Sequence, residues 1–413
     1  MNPPVSAAPL SARIEETAHS LRTALAPLLE ELCGAPLRPS RLIQRLGIDK
    51  SLASRLTRAL RAGSTGELLH LIPSPSGLRS VLDRAAEKSA DPGRLASAED
   101  CVVRFQELLD GLPGGRAALD ASLSRSHPEL RETRERSSRQ AAFKAMSYLL
   151  GYYCESLATA LILEPSPDGS QVDGVEVHQR VGLRRLRPET PLAIMSFSFD
   201  QKSRGLENEP WVETLDGTSA SADPSHFVLP ELCSQPTPRL ETHEIGEQTV
   251  FVLGDRDPSL EAPITLTSGC RFRNCWPRDL KEASSHASRQ YLLHLPSKVL
   301  VRDIFIRDDL YVGAIPEILH ELPKSPIGPG RPRGVAGKIS TLDIATSIEQ
   351  LRPGLDGAAT GLIPGYRDTL LKAFQRSGLD PNRFRGYRCT LAYPVPLVTM
   401  SWWLRPHDEL GNS

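Results

Sequence analysis

Between Ser11 and about Leu163, apolar residues recur at three- and four-residue intervals with few alternating runs, which is the period of amphipathic helices. Leu21, Leu25, Leu28, Leu29 and Leu32 make one stripe on a first helix. That helix is expected to end near Cys33 and Gly34, because glycine tolerates the left-handed conformation that follows many helices. Further helices are expected at 75–89, with Pro75 in the first turn, at 97–112, and from about 128 to 163. Beyond this point the period changes. The segments 190–200, 248–255, 262–268 and 297–312 read as strands bounded by Gly, Pro and Asp. In 387–404, Tyr387, Cys389, Leu391 and Tyr393 alternate, and so do Val398, Met400, Trp402 and Leu404. This predicts two neighbouring strands with Pro394 and Pro396 at a bend or edge. One helix is expected at about 364–377, stopping near Gly378. The stretches 201–225 and 322–334 lack periodicity and read as loops.

This pattern defines a multidomain α+β chain, with an all-α N-terminal half and a β-rich α+β C-terminal half. The expected divisions are 1–92, then a helical connector or dimerisation region at 93–163, then an α+β sensing or interaction domain at 164–413. A length of 413 residues fits two or three domains at roughly 100 to 200 residues each. Hydrophobic residues at 39% and charged residues at 24% are ordinary for a soluble globular protein, while 35 prolines imply many short elements and loops. The seven cysteines are odd in number and scattered, so they do not make a disulfide framework, and a reducing cytoplasm fits best. No apolar run approaches the ~18 to 20 residues needed to cross a bilayer, so no membrane partner is expected.

The formal net charge is −1, which means that any nucleic-acid surface must come from local clustering. Such a cluster lies at 38–61, RPSRLIQRLGIDKSLASRLTRALR. It holds Arg38, Arg41, Arg45, Lys50, Arg55, Arg58 and Arg61 against the single acid Asp49. Leu42, Ile43 and Leu46 place one face on a short helix ending at Gly47, which can take a positive φ. Ile48 can plug the space between two helices, and Asp49 suits the N-cap of the next, where its carboxylate accepts backbone N–H groups that lack a helical partner. Leu52, Ala53, Leu56 and Leu60 supply the buried stripe of that second helix, leaving Lys50, Ser51, Ser54, Arg55 and Arg58 outside. A helix with this polar face fits a major groove about 12 Å wide, with Arg suited to guanine and Ser or Lys to phosphates or bases. Arg41, Arg45 and Arg61 complete the predicted DNA-contacting set, with phosphates as the targets of Arg41 and Arg61.

These residues resemble the helix-turn-helix of bacterial transcription regulators, in the form L-x-x-x-L-G-[IV]-x-x-S-x-[AV]-S-R found in several winged-helix families. Leu42, Leu46, Gly47, Ile48, Ser51, Ala53, Ser54 and Arg55 match in place. The resemblance implies that 50–61 is a recognition helix, and it covers about 24 residues of the chain. Ile43 departs from it, standing where the motif usually has a small residue. A wing is not evident, since 67–72 reads as either a strand or a short helix and no clean hairpin follows.

Other segments carry weaker signals. On the 128–163 helix, Phe143, Met146, Leu150, Tyr153, Leu157, Ala160 and Leu161 share a stripe that reads either as core or as a homodimer interface. Gly330 to Arg333 is similar to an AT-hook core, but Pro329 stands where an arginine should precede it. Cys270 and Cys275, with His226, Cys233, His243 and His286 in the same half, lack the paired spacing of a zinc site. Gly334 to Lys338 is too short for a phosphate loop, with Ile339 in place of Ser or Thr. HExxH and GxSxG are absent, and Asp255, Asp257, Asp308 and Asp309 have no identifiable partner. No catalytic residue, metal or cofactor is therefore assigned.

The reading is a DNA-binding transcriptional regulator with a C-terminal domain for a small-molecule or protein effector, and double-stranded DNA as partner. The alternatives are a protein-interaction or assembly factor whose helical motif docks protein, and an enzyme with its site in the C-terminal half.

Overall fold

The computed structural model describes residues 9–126, 128–198, 212–218, 223–246, 248–254, 258–279, 287–322 and 340–405. It is an α+β chain of two compact units, Met1–Glu135 and Arg136–Ser413.

Every described element of the first unit is helical: α1 (Leu10–Cys33), α2 (Pro39–Leu46), α3 (Lys50–Leu60), α4 (Thr65–Leu71), α5 (Pro75–Glu87), α6 (Pro92–Asp110) and α7 (Gly115–Ser126). One core joins them, with Leu21, Leu25, Leu28 and Leu29 of α1 meeting Leu42 and Leu46 of α2, Leu56 of α3, Leu82 of α5 and Phe105 of α6. Caps set the boundaries. Ser64, Ser74 and Asp91 each accept a backbone N–H at the start of α4, α5 and α6. The segment 67–72, open to a strand or a helix from its sequence, falls largely in α4, and α5 follows it directly.

An eighth helix, α8 (Pro128–Leu150), carries the chain past the division between the units and ends at Gly151, whose φ of 77° breaks the helical path. The sequence period led to the expectation of helix to 163. Instead β1 (Tyr152–Pro165) begins here and becomes an interior strand. Its run Leu157–Leu163 is buried on both faces, so an unbroken apolar stretch serves a sheet where the same composition also suits a buried helix. Of the proposed dimer stripe, Phe143 is buried against Tyr153 and Tyr393, and Leu157, Ala160 and Leu161 lie inside the sheet.

The second unit contains β2 (Gln171–Arg185), β3 (Leu192–Ser198), β4 (Val212–Glu213), β5 (Leu240–Ile245), β6 (Gln248–Leu253), β7 (Ile264–Pro277), β8 (Ala287–Leu292), β9 (Ser297–Arg307), β10 (Ile315–Glu321), β11 (Ile348–Gln350), α9 (Tyr366–Arg376), β12 (Phe384–Ala392) and β13 (Thr399–Arg405). Seven strands form one sheet in the order β11-β12-β9-β1-β2-β7-β4, parallel only at β1 and β9. Two three-stranded sheets, β10-β13-β8 and β3-β6-β5, accompany it among the described residues. β12 and β13, expected as neighbours, belong to different sheets: β12 pairs with β9 and β11, and β13 with β10 and β8. The prolines between them thus mark a change of sheet.

The large sheet uses its two faces differently. One carries Ala158, Ala160, Val175, Val177 and Phe305 against Leu370, Ala373 and Phe374 of α9. The other carries Leu161, Leu266, Leu300 and Ile304 against Ile318, Met400, Trp402 and Leu404 of the β10-β13-β8 sheet.

Candidate functional site

The α2–α3 segment is built by two local features. Gly47 adopts φ 64° and ψ 22°, and its N–H donates to Ile43 O at 2.9 Å, closing α2 in the left-handed conformation. Asp49 then caps α3, accepting the Leu52 N–H at 2.9 Å, while Ile48 between them is buried. Ala53, Leu56, Thr57 and Ala59 face the core of the unit, with Leu52 and Leu60 at its margin. Thr57 is an addition to the predicted stripe. Its hydroxyl donates to Ala53 O at 2.8 Å, which lets a polar side chain be buried there.

At about 100° per residue, Lys50, Ser54, Arg58 and Ser51 fall within roughly 100° of one another on α3, with Arg55 about 40° beyond Ser51. Lys50, Ser51 and Arg58 are exposed and Ser54 is half-buried. Arg45 is exposed in the last turn of α2. The other three predicted contacts have partners in their own chain. Arg55 Nη2 donates to Ile72 O at 3.3 Å, Arg41 Nη1 to Cys33 O at 3.5 Å, and Arg61 Nη2 to Leu37 O. Each of these carbonyls lies at or just beyond a helix C-terminus or in the chain entering α2, where backbone acceptors lack helical partners. The geometry therefore divides the predicted set of eight into five side chains without a partner among the described residues and three exposed arginines that also brace the unit.

Arg55 shares its end of α4 with a second brace. Arg116 of α7 donates to the carbonyls of Leu69, His70 and Ile72 and contacts Asp120, which is buried and also meets His70 and Arg134. Burial opposes ionisation of Asp120, but the His70 hydrogen bond and the two arginines outweigh it and hold its carboxyl below the usual range.

The second unit contains a feature that sequence reasoning missed. Alternate residues of β2, Glu176, His178 and Arg180, point to the face of the large sheet that is otherwise lined with leucine. His178 sits opposite Thr159 of β1 and Ser268 of β7, and Thr159 in turn sits opposite Arg302 of β9. A polar row thus crosses four adjacent strands. From β8, Arg289 and Tyr291 approach the same place. Arg289 Nη2 lies 2.6 Å from Glu176 Oε2, and its guanidinium stacks over Phe272 at 4.1 Å. The Tyr291 ring stacks on His178 with centroids 5.2 Å apart and has Arg302 over it at 5.2 Å.

These groups line or back a pocket of ≈ 240 Å³, whose lining also includes Ile194, Met195 and Phe197 and the exposed residues Ser196, Gln290 and Leu292, which give it access to solvent. Burial lowers the affinity of His178 for a proton despite the nearby Glu176. Burial also opposes the Glu176 charge, but Arg289 and His178 outweigh it and keep the carboxyl below its usual range. Burial pulls Arg302 down to about 10. The signal available in the sequence was E-V-H-Q-R, three ionisable residues at alternate positions inside an apolar strand.

The weaker sequence candidates resolve differently. Cys275 Sγ donates to Val172 O at 3.2 Å and Cys233 Sγ to Leu229 O at 3.2 Å, while His226 and His243 are exposed. Among the described residues, no group of three or more His, Cys, Asp or Glu is placed to hold a metal. Asp309 is held by Arg307 at 2.6 and 2.8 Å. His286, Asp255, Asp257, the AT-hook-like segment 330–333 and the segment 334–338 lie outside the described residues. No described helix is long and apolar enough to cross a membrane. The chain matches no known family model and no curated protein.

Proposed function

We propose that the protein is a transcriptional regulator that binds double-stranded DNA through α2 and α3, with the second unit receiving an effector. The observation that carries this reading is the outward arc of α3, where Lys50, Ser51, Ser54 and Arg58 have no hydrogen-bond or ion-pair partner among the described residues. Asp49, the one acid in the segment, is turned to its own helix. Phosphate attraction supplies affinity, while Ser51 and Ser54 in the first half of α3 and Arg58 in its last turn supply base contacts. Selection of bound fragments from random duplexes with the full chain tests the reading. A recovered motif, bound less tightly as salt rises, supports it. Duplex binding that is absent at low salt rejects it and leaves the basic face as a protein-docking surface.

A further inference from the structure

Burying a charge without a partner costs several kcal/mol per ion, so buried guanidiniums are ordinarily matched by carboxylates. On the other face of the large sheet this rule is kept: Arg388 grips Asp303 with bonds of 2.8 and 2.7 Å, and Tyr366 adds a third hydrogen bond to the same carboxylate. Around the pocket it is not. Arg180 is 1% exposed and Arg302 is 2% exposed, and neither forms an ion pair with an acid among the described residues. The one carboxylate lining the pocket, Glu176, is engaged by Arg289.

The unmet hydrogen-bonding capacity lies in the same place. Arg180 spends Nη1 on Ser268 Oγ and Nη2 on Ile194 O, leaving Nε without a partner. His178 Nδ1, Arg289 Nε and the Tyr291 hydroxyl are likewise buried and unmet. Behind Tyr291, Arg302 has Nε and Nη1 unmet. The guanidinium nitrogens and the Tyr291 hydroxyl are donors, and buried donors around excess positive charge suit an anion. The walls limit what kind. Phe197, Phe272, Tyr291, Ile194 and Met195 are apolar or aromatic surfaces, and a cavity of ~150 Å³ already accommodates benzene. At ≈ 240 Å³ there is room for one ring with a carboxylate and little more.

We infer that this pocket binds a small aromatic monocarboxylate of about benzoate size, its carboxylate on Arg180 and its ring among Phe197, Phe272 and Tyr291. The inference is independent of the DNA-reading proposal, because occupancy is measured without DNA. Calorimetric titration and thermal melting of the full chain with benzoate, benzamide and inorganic phosphate provide the test. Benzoate is expected to bind one per chain and to raise the melting temperature. Benzamide, which keeps the ring without the charge, is expected to bind at least tenfold more weakly, as is phosphate. Arg180→Gln is expected to lose at least tenfold in benzoate affinity, whereas Arg367→Gln on the outer surface of α9 is expected to leave it unchanged. Should Arg180→Gln not fold, Ser196→Trp, which fills the pocket from its exposed side, is expected to abolish benzoate binding. Benzamide or phosphate binding as tightly as benzoate would overturn the assignment of ligand class. Failure of benzoate to saturate the folded wild type at millimolar concentration, or undiminished binding by folded Arg180→Gln or Ser196→Trp, would overturn the site.

Discussion

Arg55 on α3 donates from Nη2 to the carbonyl of Ile72, 3.3 Å away at the end of α4. The bond joins the middle of the proposed reading helix to the helix that follows it, so this arginine has a structural task besides any contact with a base. Arg55→Ala is expected to cost about 1 kcal/mol in denaturant unfolding, through a lost charged hydrogen bond and an α4 C-terminus left to Arg116 alone. Unchanged stability would detach Arg55 from α4 and return it wholly to the groove.

Base preference is expected to rest more on Arg58, which is exposed and has no partner among the described residues. Arg58→Ala should cost ~1 to 3 kcal/mol on the preferred site and relax selectivity at one base position, and Arg58→Lys should not fully recover it because lysine lacks the planar fork. Selections with both variants measure this. Affinity lost equally across all sequences would make Arg58 a phosphate contact instead.

Charge alone points Arg41 and Arg61 at phosphates, but they also donate to Cys33 O and Leu37 O. Their double alanine variant is expected to unfold at lower denaturant. Each residue that also touches phosphate should reduce the slope of log affinity against log salt by about 0.9. A less stable variant with an unaltered slope would confine both arginines to bracing.

Much of the first unit was legible because helix period, glycine and caps agree: α1 ends at Gly34, Gly47 and Asp49 frame the turn, and Pro75 opens α5. Less was legible where one composition serves two structures. Leu157 to Leu163 is covered on both faces and so lost the alternation that marks a strand. The pocket was hidden for another reason. His178 and Arg302 come from β2 and β9, joined through β1 by pairing, and Arg289 from β8 of a separate sheet packed against them, none of which a local pattern encodes.

The placement of β1 bears on how the chain can be divided. A fragment ending at residue 163 carries most of an interior strand without β2 and β9, and is expected to aggregate through its unpaired edges. One ending at 135 contains the compact helical unit and is expected to melt cooperatively. Circular dichroism and light scattering on the two fragments check this, and a monomeric, cooperatively melting 1–163 fragment would contradict it.

Burial holds His178 below the ordinary imidazole range, with Glu176, Arg180, Arg302 and Tyr291 as its ionisable neighbours. The unfolded chain takes up this proton near pH 6.5 while the folded chain does not, so its contribution is present above that pH and lost as pH falls toward the folded value. His294, lowered by burial as well, acts in the same direction. The fall in melting temperature from pH 7 to 5 should therefore be smaller in His178→Gln than in the wild type. An identical fall would mean that the folded state protonates His178 freely.

Whether the outward arc of α3 reads DNA separates a regulator from a protein-docking helical unit. Selection from random duplexes with the full-length wild type and with a folded Lys50→Ala, Ser54→Ala, Arg58→Ala variant measures this most directly, with far-UV circular dichroism to verify the fold. The prediction is a defined motif for the wild type and its loss in the variant. No motif from the wild type, or the same motif from both proteins, would contradict it.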